Sequence, residues 1–480
     1  TWLPGRDGQA VPARVVKVTA REDGTIDWSA RVLTESGEQT ATIVIRQGHA
    51  FGWIPQPKGA ALRLETRHGQ SRIVQEKSSL RPEGPDVLLP PDPSADQRAL
   101  RKRQESGKAE GTPRIDVLVA YQPSLVNVWG SVAAVQARIA YLETITNQAY
   151  ADTGMDLEIR VVATHLLDFA ADADNVDALY AITNPSSLAV KQEIDRVRAM
   201  YGADLVKLMR NFDRVNQTSC GVGWLGGYRG NPFVPGYGFS VTADLGFGGD
   251  GCGEWTFAHE LGHNQGAHHD IETTNGDYGA FEYSRGHRQT ISADSGFATI
   301  MAYNTGPQQR LGRFSDPDLL ECLGQPCGIA DEADNARGIV ETAALVAGMV
   351  WVGIDNGFAG NDLRAQPGYQ RAANGISYLP EDRRLIPALT VQENILLPVW
   401  ANKLPGSAER LEWVYSLIPE IAQFRDRRAM QLSGGQQKLV ALARALMPGN
   451  RLLILDEPFE GVAPVLSRRL SEVIAQLGQE

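Results

Sequence analysis

No uninterrupted apolar run in this chain approaches the roughly 18 residues that a membrane-spanning helix needs. The longest, residues 343–354, has the length of a buried helix. Positive charge is also scarce: 46 lysines and arginines face 57 acidic residues, and no basic stripe offsets the formal charge of −11. That excludes a general nucleic-acid binder, because neutralising phosphates takes a basic surface. Cysteine is rarer still. Four occur in 480 residues, none before Cys220; Cys220 and Cys252 bracket the approach to a histidine-rich stretch, and Cys322 and Cys327 sit together in ECLGQPC. An even number confined to one region suits two disulfides and an extracytoplasmic setting, with four buried free thiols as the alternative. A starting methionine is also missing, so a lost start and a removed signal peptide read alike at Thr1.

Apolar residues make up 42% of the chain, enough to build real cores, and the length suggests about three domains. Residues 1–80 read as a small β-rich domain. In TIDWSARV, Ile26, Trp28, Ala30 and Val32 alternate with polar neighbours, and ATIVIR and ALRLET repeat the period of two. Residues 81–113 read as a linker, first proline-rich and then charged, with Arg101, Lys102 and Arg103 suited to a processing protease or to a solvated charge cluster. From Arg114 the pattern turns α/β. IDVLVAY, LEIRVV and DLVKLM are expected strands; Val135, Ile139 and Leu142, then Val190, Ile194, Val197 and Tyr201, mark helix faces.

The stretch HELGHNQGAHHD concentrates the chemistry. On a helix, residues four apart share a face, so His259 and His263 can present two imidazoles to one ion. Glu260 then stands beside the metal without ligating it, placed to take a proton from water. Gly266 can adopt a positive φ, end the helix and return the chain, so that His269 supplies a third ligand. His268 is a rival one residue short of that position and is expected to be exposed.

The spacing HExxHxxGxxH resembles the metzincin clan of zinc endopeptidases. The resemblance implies one catalytic Zn²⁺ on His259, His263 and His269, Glu260 as general base and acid, and Met301 in TIMAYN as the methionine beneath the metal. Asp270 resembles the aspartate of the adamalysin, or reprolysin, branch, where a supporting role away from the metal is expected. Tyr303 matches a tyrosine that astacin-like and serralysin-like members place near zinc, which implies ligation or oxyanion stabilisation. IDVLVAY, GADLVKLM, CGVGWLGG, FSVT and RFSDPDLL extend the resemblance to bacterial reprolysin-like metallopeptidases across residues 114–353. It implies an α/β metzincin catalytic domain: a twisted mixed sheet with an active-site helix and one antiparallel edge strand, for which residues 238–242 are the candidate substrate-pairing strand. The β-rich start resembles the propeptide of such proteases. The cysteine that silences zinc in some of their zymogens is absent, so inhibition would be steric or use another ligand.

Residues 354–480 resemble the ATP-binding subunit of ABC transporters, particularly those for branched-chain amino acids, through LSGGQQKLVALARALM and RLLILDEPFEGVAP. The resemblance implies ATP contacts from Ser433, Gly434, Gly435 and Gln436, Mg²⁺ coordination by Asp456, water activation by Glu457, and Glu381 in the Q-loop region. No GxxxxGK followed by Ser or Thr occurs anywhere in the chain, and the last histidine is His287. The segment therefore reads as a partial ABC-ATPase α/β piece not expected to hydrolyse ATP. Its pairing with a protease reads as two coding sequences joined near residues 350–357, with a true fusion as the alternative.

The expected function is thus a secreted or periplasmic zinc metalloendopeptidase acting on protein or peptide substrates. It has no nucleic-acid partner and no membrane span. The alternative is an ATP-binding subunit working in the cytoplasm with ABC permease subunits, ATP and Mg²⁺.

Overall fold

The alternating pattern at the start of the chain folds as an antiparallel meander of six strands in chain order: β1 (Arg14–Ala20), β2 (Ile26–Thr34), β3 (Gly37–Arg46), β4 (His49–Ile54), β5 (Leu62–Arg67) and β6 (Gln70–Gln75). The computed structural model describes residues 1–75, 84–91, 112–169, 174–184, 188–244, 252–306 and 308–349. It also describes residues 357–358, 361–362, 376–379, 385–402, 407–448, 452–455 and 473. Two compact units divide the chain, Thr1–Gly353 and Ile354–Glu480.

A second sheet follows the meander in the first unit. Its strands are β7 (Val87–Leu88), β8 (Arg114–Tyr121), β9 (Glu158–Leu166), β10 (Leu205–Asn211), β11 (Gly221–Trp224) and β12 (Phe239–Asp244), in the spatial order β9-β8-β10-β12-β11-β7. Strands β9, β8, β10 and β12 run parallel, β11 is antiparallel to β12, and β7 runs parallel to β11. Residues 86–88, read from sequence as linker, are therefore built into this sheet. The expected substrate-pairing strand at 238–242 also needs correction: β12 is flanked on both sides, by β10 and β11. Phe239 and Val241 are fully buried, as suits an interior strand.

Both faces of the sheet are covered. In β8, Ile115, Val117 and Val119 face one cluster, whereas Leu118 and Ala120 face another, which explains the continuous apolar run. Helices α1 (Pro123–Trp129) and α2 (Val132–Asp152) follow β8; α3 (Asn175–Thr183) and α4 (Leu188–Tyr201) contribute to the second cluster through Ala178, Leu179, Ile182, Ile194 and Val197. Sequence marks one face of α2, but the helix is buried nearly all round. Val44, Phe51 and Trp53 of the meander share a single core with Val135, Ile139 and Tyr141 of α2. Each large side chain so buried contributes about 1.5–3 kcal/mol relative to exposure. Polar ties reinforce the contact: Arg31 meets Asp152 at 2.9 Å, and Thr40 donates to Asp152 at 2.7 Å. The two stretches are one packed body, not beads on a linker.

Helix α5 (Thr256–Asn264) lies against β11 and β12, and α6 (Asn335–Val346) closes the first unit. The apolar helix expected over residues 343–354 stops at Val346, and residues 350–354 lie outside the described set. Two disulfides, Cys220–Cys252 and Cys322–Cys327, account for all four cysteines.

In the second unit, β13 (Ile376–Leu379) pairs in parallel with β14 (Leu452–Leu455). Helices α7 (Val391–Asn402) and α8 (Gly434–Leu446) enclose a core that includes Val391, Ile395, Leu439, Val440 and Leu442. Among the described residues no helix is long and apolar enough to cross a membrane.

Candidate metal centre

Helix α5 is anchored by Phe257, Ala258 and Leu261, all essentially buried, and carries His259, Glu260 and His263. Gly266 has φ +88°, and a Cβ there would stand 2.7 Å from the Ala280 Cβ, so both the turn and the packing require glycine. The turn returns His269 to the helix. Ring centroids of the three histidines lie 4.7–5.2 Å apart, and the Nε2 atoms of His259 and His269 are separated by 3.3 Å.

Backbone carbonyls fix two of the rings. His259 Nδ1–H donates to the Ile300 carbonyl at 2.8 Å and His263 Nδ1–H to the Ala267 carbonyl at 2.9 Å, leaving both Nε2 lone pairs available inward. His263 Nε2 is buried without a hydrogen-bond partner, the kind of orphaned donor atom that a cation satisfies. Burial, followed by the neighbouring imidazoles, holds His263 well below the usual histidine range. It is therefore neutral, as ligation requires.

A fourth side chain enters from the former linker. Asp86 places its carboxylate oxygens 3.2 Å from His269 Nε2 and 3.3 Å from His259 Nε2. The ligand atoms of Asp86, His259, His263 and His269, all buried, lie within 4.8 Å of one another. Three imidazoles and a carboxylate around an orphaned Nε2 fit a zinc ion. Sequence reasoning missed Asp86 because its neighbourhood, PEGPDVLLP, reads as proline-rich linker; the apolar run Val87–Leu88 inside it was the available signal.

Glu260 is buried beside the cluster, and its Oε2 has no hydrogen-bond partner. Burial, then the Asp86 carboxylate, pushes its carboxyl well above the usual range. Gly221 and Gly223 of β11 let the strand approach: a Cβ at Gly223 would stand 3.0 Å from the Glu260 carbonyl oxygen and 3.2 Å from the His263 Cβ. On the other side Lys207 is wholly buried, with Nζ 5.1 Å from the Phe257 ring centroid, and burial brings its pKa down to about 7.

Tyr303 joins the site: its ring centroid is 4.6 Å from that of His269, and its hydroxyl donates to the Asp86 carboxylate. Asp270 accepts from the Tyr303 backbone N–H at 3.2 Å, pairs with Arg288 at 3.2 Å and caps the short helix Ile271–Thr274. Met301 is buried beneath α5, its Sδ occupying the space that a Cβ at Gly262 would need. His268, expected at the surface, is buried at 6% exposure because its backbone N–H donates to the Ser284 carbonyl at 2.9 Å and draws it under the following loop.

In the second unit Ser433 caps α8: its Oγ accepts from the Gln436 N–H at 3.3 Å, and Gln436 Oε1 accepts from the Ser433 N–H at 2.9 Å. Gly434 and Gly435 begin the helix. The Ser-x-x-Gln spacing thus satisfies the helix N-terminus locally. Asp456, Glu457 and Glu381 lie outside the described residues.

Residues 112–333 match the family described as metallo-peptidase family M12B, reprolysin-like, and residues 345–460 match the ABC transporter family. The chain is 32% identical over 256 residues to a peptidyl-Asp metalloendopeptidase of Pseudomonas aeruginosa, an alignment covering 50% of this chain and 41% of that protein. A peptidyl-Asp metalloendopeptidase of Stenotrophomonas maltophilia is 27% identical, over 71% of this chain and 81% of its own length. A high-affinity branched-chain amino acid transport ATP-binding protein of Pseudomonas aeruginosa is 33% identical over 123 residues, covering 26% of this chain and 53% of the relative.

Proposed function

Because the chain carries a peptidase domain of the M12B reprolysin-like family, followed by an ABC transporter ATP-binding region, we propose that it is a zinc-dependent endopeptidase with His259, His263 and His269 as metal ligands. One observation carries the reading: two Nε2 atoms 3.3 Å apart and the orphaned Nε2 of His263 converge beside an unpartnered, buried Glu260 carboxylate. When bound, a zinc ion supplies polarisation of the scissile carbonyl and lowers the pKa of water. Glu260 accepts the proton of the attacking water and passes it to the leaving amine. The Tyr303 hydroxyl is the donor for charge developing on the carbonyl oxygen. The N–H groups of Gly223 and Leu225, which donate to the carbonyls of Asp86 and Leu88 in this structure, are the donors that an extended substrate backbone would engage in place of β7.

The substrate class in this proposal is an aspartate-containing peptide, after the peptidyl-Asp of the two metalloendopeptidase relatives' names. Arg310 supports it: its charge acts on both His259 and Glu260, and its guanidinium is held by the Ala302 carbonyl at 2.8 Å. Two disulfides favour an extracytoplasmic setting for this part of the chain. Residues 1–80 and 81–113 act in the proposal as propeptide and connecting segment to a catalytic domain at 114–353.

Glu260→Gln tests the assignment, since it keeps the side chain's shape but removes the base. The expected result is a loss of peptide cleavage by about 10²–10⁴-fold, with zinc stoichiometry unchanged. Cleavage at the wild-type rate, or cleavage insensitive to a chelator, would sink the proposal. A second reading, nucleotide binding through residues 354–480, rests on the ABC transporter match. ATP binding by the full chain, lost on Ser433→Arg, would support it, and absence of nucleotide binding would remove it.

A further inference from the structure

We propose that the Cys220–Cys252 disulfide is a positioning element for Glu260: it closes the near end of the gap between β11 and α5 in which the carboxylate of the base is held. The proposal rests on the zinc endopeptidase reading and adds what keeps its base in place.

Glu260 occupies a narrow space. A Cβ at Gly221 would stand 2.7 Å from its Cγ and Cδ, and one at Gly223 would stand 3.4 Å from its Oε2, so the bare backbone of β11 forms one wall and α5 the other. The width of that space sets where the carboxylate lies. β11 is a weak wall by itself: it has four residues, two of them glycine, and it pairs with β12 only through Gly221 to Thr242, Val222 to Val241 and Gly223 to Ser240.

At its far end β11 is fastened to α5 directly. Gly226 N–H donates to the His263 carbonyl at 2.9 Å, and the Asn264 side-chain amide donates to the Trp224 carbonyl at 3.0 Å. The near end, where Gly221 meets Glu260, is fastened differently. Cys220 adjoins Gly221, and its partner Cys252 lies shortly before Thr256, the first residue of α5.

The helix side of this bond is firmly anchored. Cys252 is buried with Phe212 and Ala243, and Glu254 pairs with the buried Arg138 at 2.6 Å. The Gly253 carbonyl then accepts from the Thr256 N–H at 3.1 Å and from its hydroxyl at 2.9 Å, which carries the anchor into the first turn. On the strand side, Ala243 N–H donates to the Cys220 carbonyl at 2.8 Å and the Ser219 hydroxyl to the Gly221 carbonyl at 2.7 Å. Neither of these reaches the entry to α5; the disulfide does. Placement of the base thereby depends on oxidising surroundings, since a reducing compartment opens the bond to two thiols.

The test uses the full zinc-loaded chain in three forms: oxidised, reduced with a phosphine, and as the double variant Cys220→Ser with Cys252→Ser. Reduction turns the S–S bond into two thiols while the phosphine takes oxygen from water and becomes its oxide. Cys322→Ser with Cys327→Ser is the control, because that bridge closes a separate loop. Loss of the Cys220–Cys252 bond is expected to lower kcat on a quenched Asp-containing peptide about 10–100-fold, with KM unchanged and zinc retained. Amide hydrogen exchange should accelerate at residues 220–224 but not at 256–264, and reoxidation should restore both readouts. Unchanged kcat, or zinc lost together with activity, overturns the proposal, as does unchanged exchange at 220–224. If no form cleaves peptide yet exchange accelerates at 220–224 alone, the clasp stands and the endopeptidase reading fails.

Discussion

Gly221→Ala tests how closely the edge strand controls the base. A Cβ at that position would stand 2.7 Å from both Cγ and Cδ of Glu260, whereas ordinary contact begins at 3.4 Å. The carboxylate therefore has to retreat by about 0.7 Å or more, and a misplacement approaching 1 Å costs on the order of 10²-fold in rate. The three nearest atoms all belong to Glu260, so the clash falls first on the base and the metal should stay. The expected outcome is a roughly 10–100-fold fall in kcat/KM with one zinc still bound, measured on a quenched peptide alongside metal analysis. A milder loss is expected for Gly223→Ala, whose nearest neighbours are at 3.0 Å and 3.2 Å. Full activity in Gly221→Ala would refute the idea that β11 positions Glu260, and loss of zinc together with activity would refute it equally.

Other substitutions probe the surroundings. Arg138, 1% exposed, pairs with Asp244 at 2.8 Å and Glu254 at 2.6 Å, tying α2 to the approach to α5; Arg138→Met should destabilise the first unit by about 3–5 kcal/mol, and an unchanged thermal midpoint would disprove that role. Lys207 has a folded pKa of about 7 against an ordinary 10.5, so the unfolded chain binds more protons between those values and wild-type stability should rise with pH across that window. Lys207→Met should lack this rise, and parallel melting profiles from pH 7 to 10 would show the lysine to be differently placed. Arg310→Gln should lower kcat/KM for an Asp-containing peptide about 10-fold relative to its Asn counterpart; equal losses on both would leave acidic preference without its residue.

Much of the site is legible because it is local. His259, Glu260 and His263 fall on one face of a single helix, and Gly266 returns His269 within one turn, so spacing along the chain is enough to bring them together. Strands were legible for the same reason, by alternation at Ile26–Thr34 and by a continuous apolar run at Arg114–Tyr121. Sheet order was not. Residues 238–242 and Gly221–Trp224 are both short extended runs, and only pairing with β10 makes the first interior and the second exposed to β7.

What the sequence determined by itself, then, is the chemistry: three imidazoles, a base and a glycine at fixed offsets, and a second family's motifs beginning beyond residue 353. Tertiary structure alone decided that Asp86 reaches the imidazoles, that Arg138 locks α2 to Glu254, and that the meander shares a core with α2. Each of these joins segments far apart in the chain. Such contacts are selected by shape and burial once the sheet has assembled, and no periodicity along the chain encodes them.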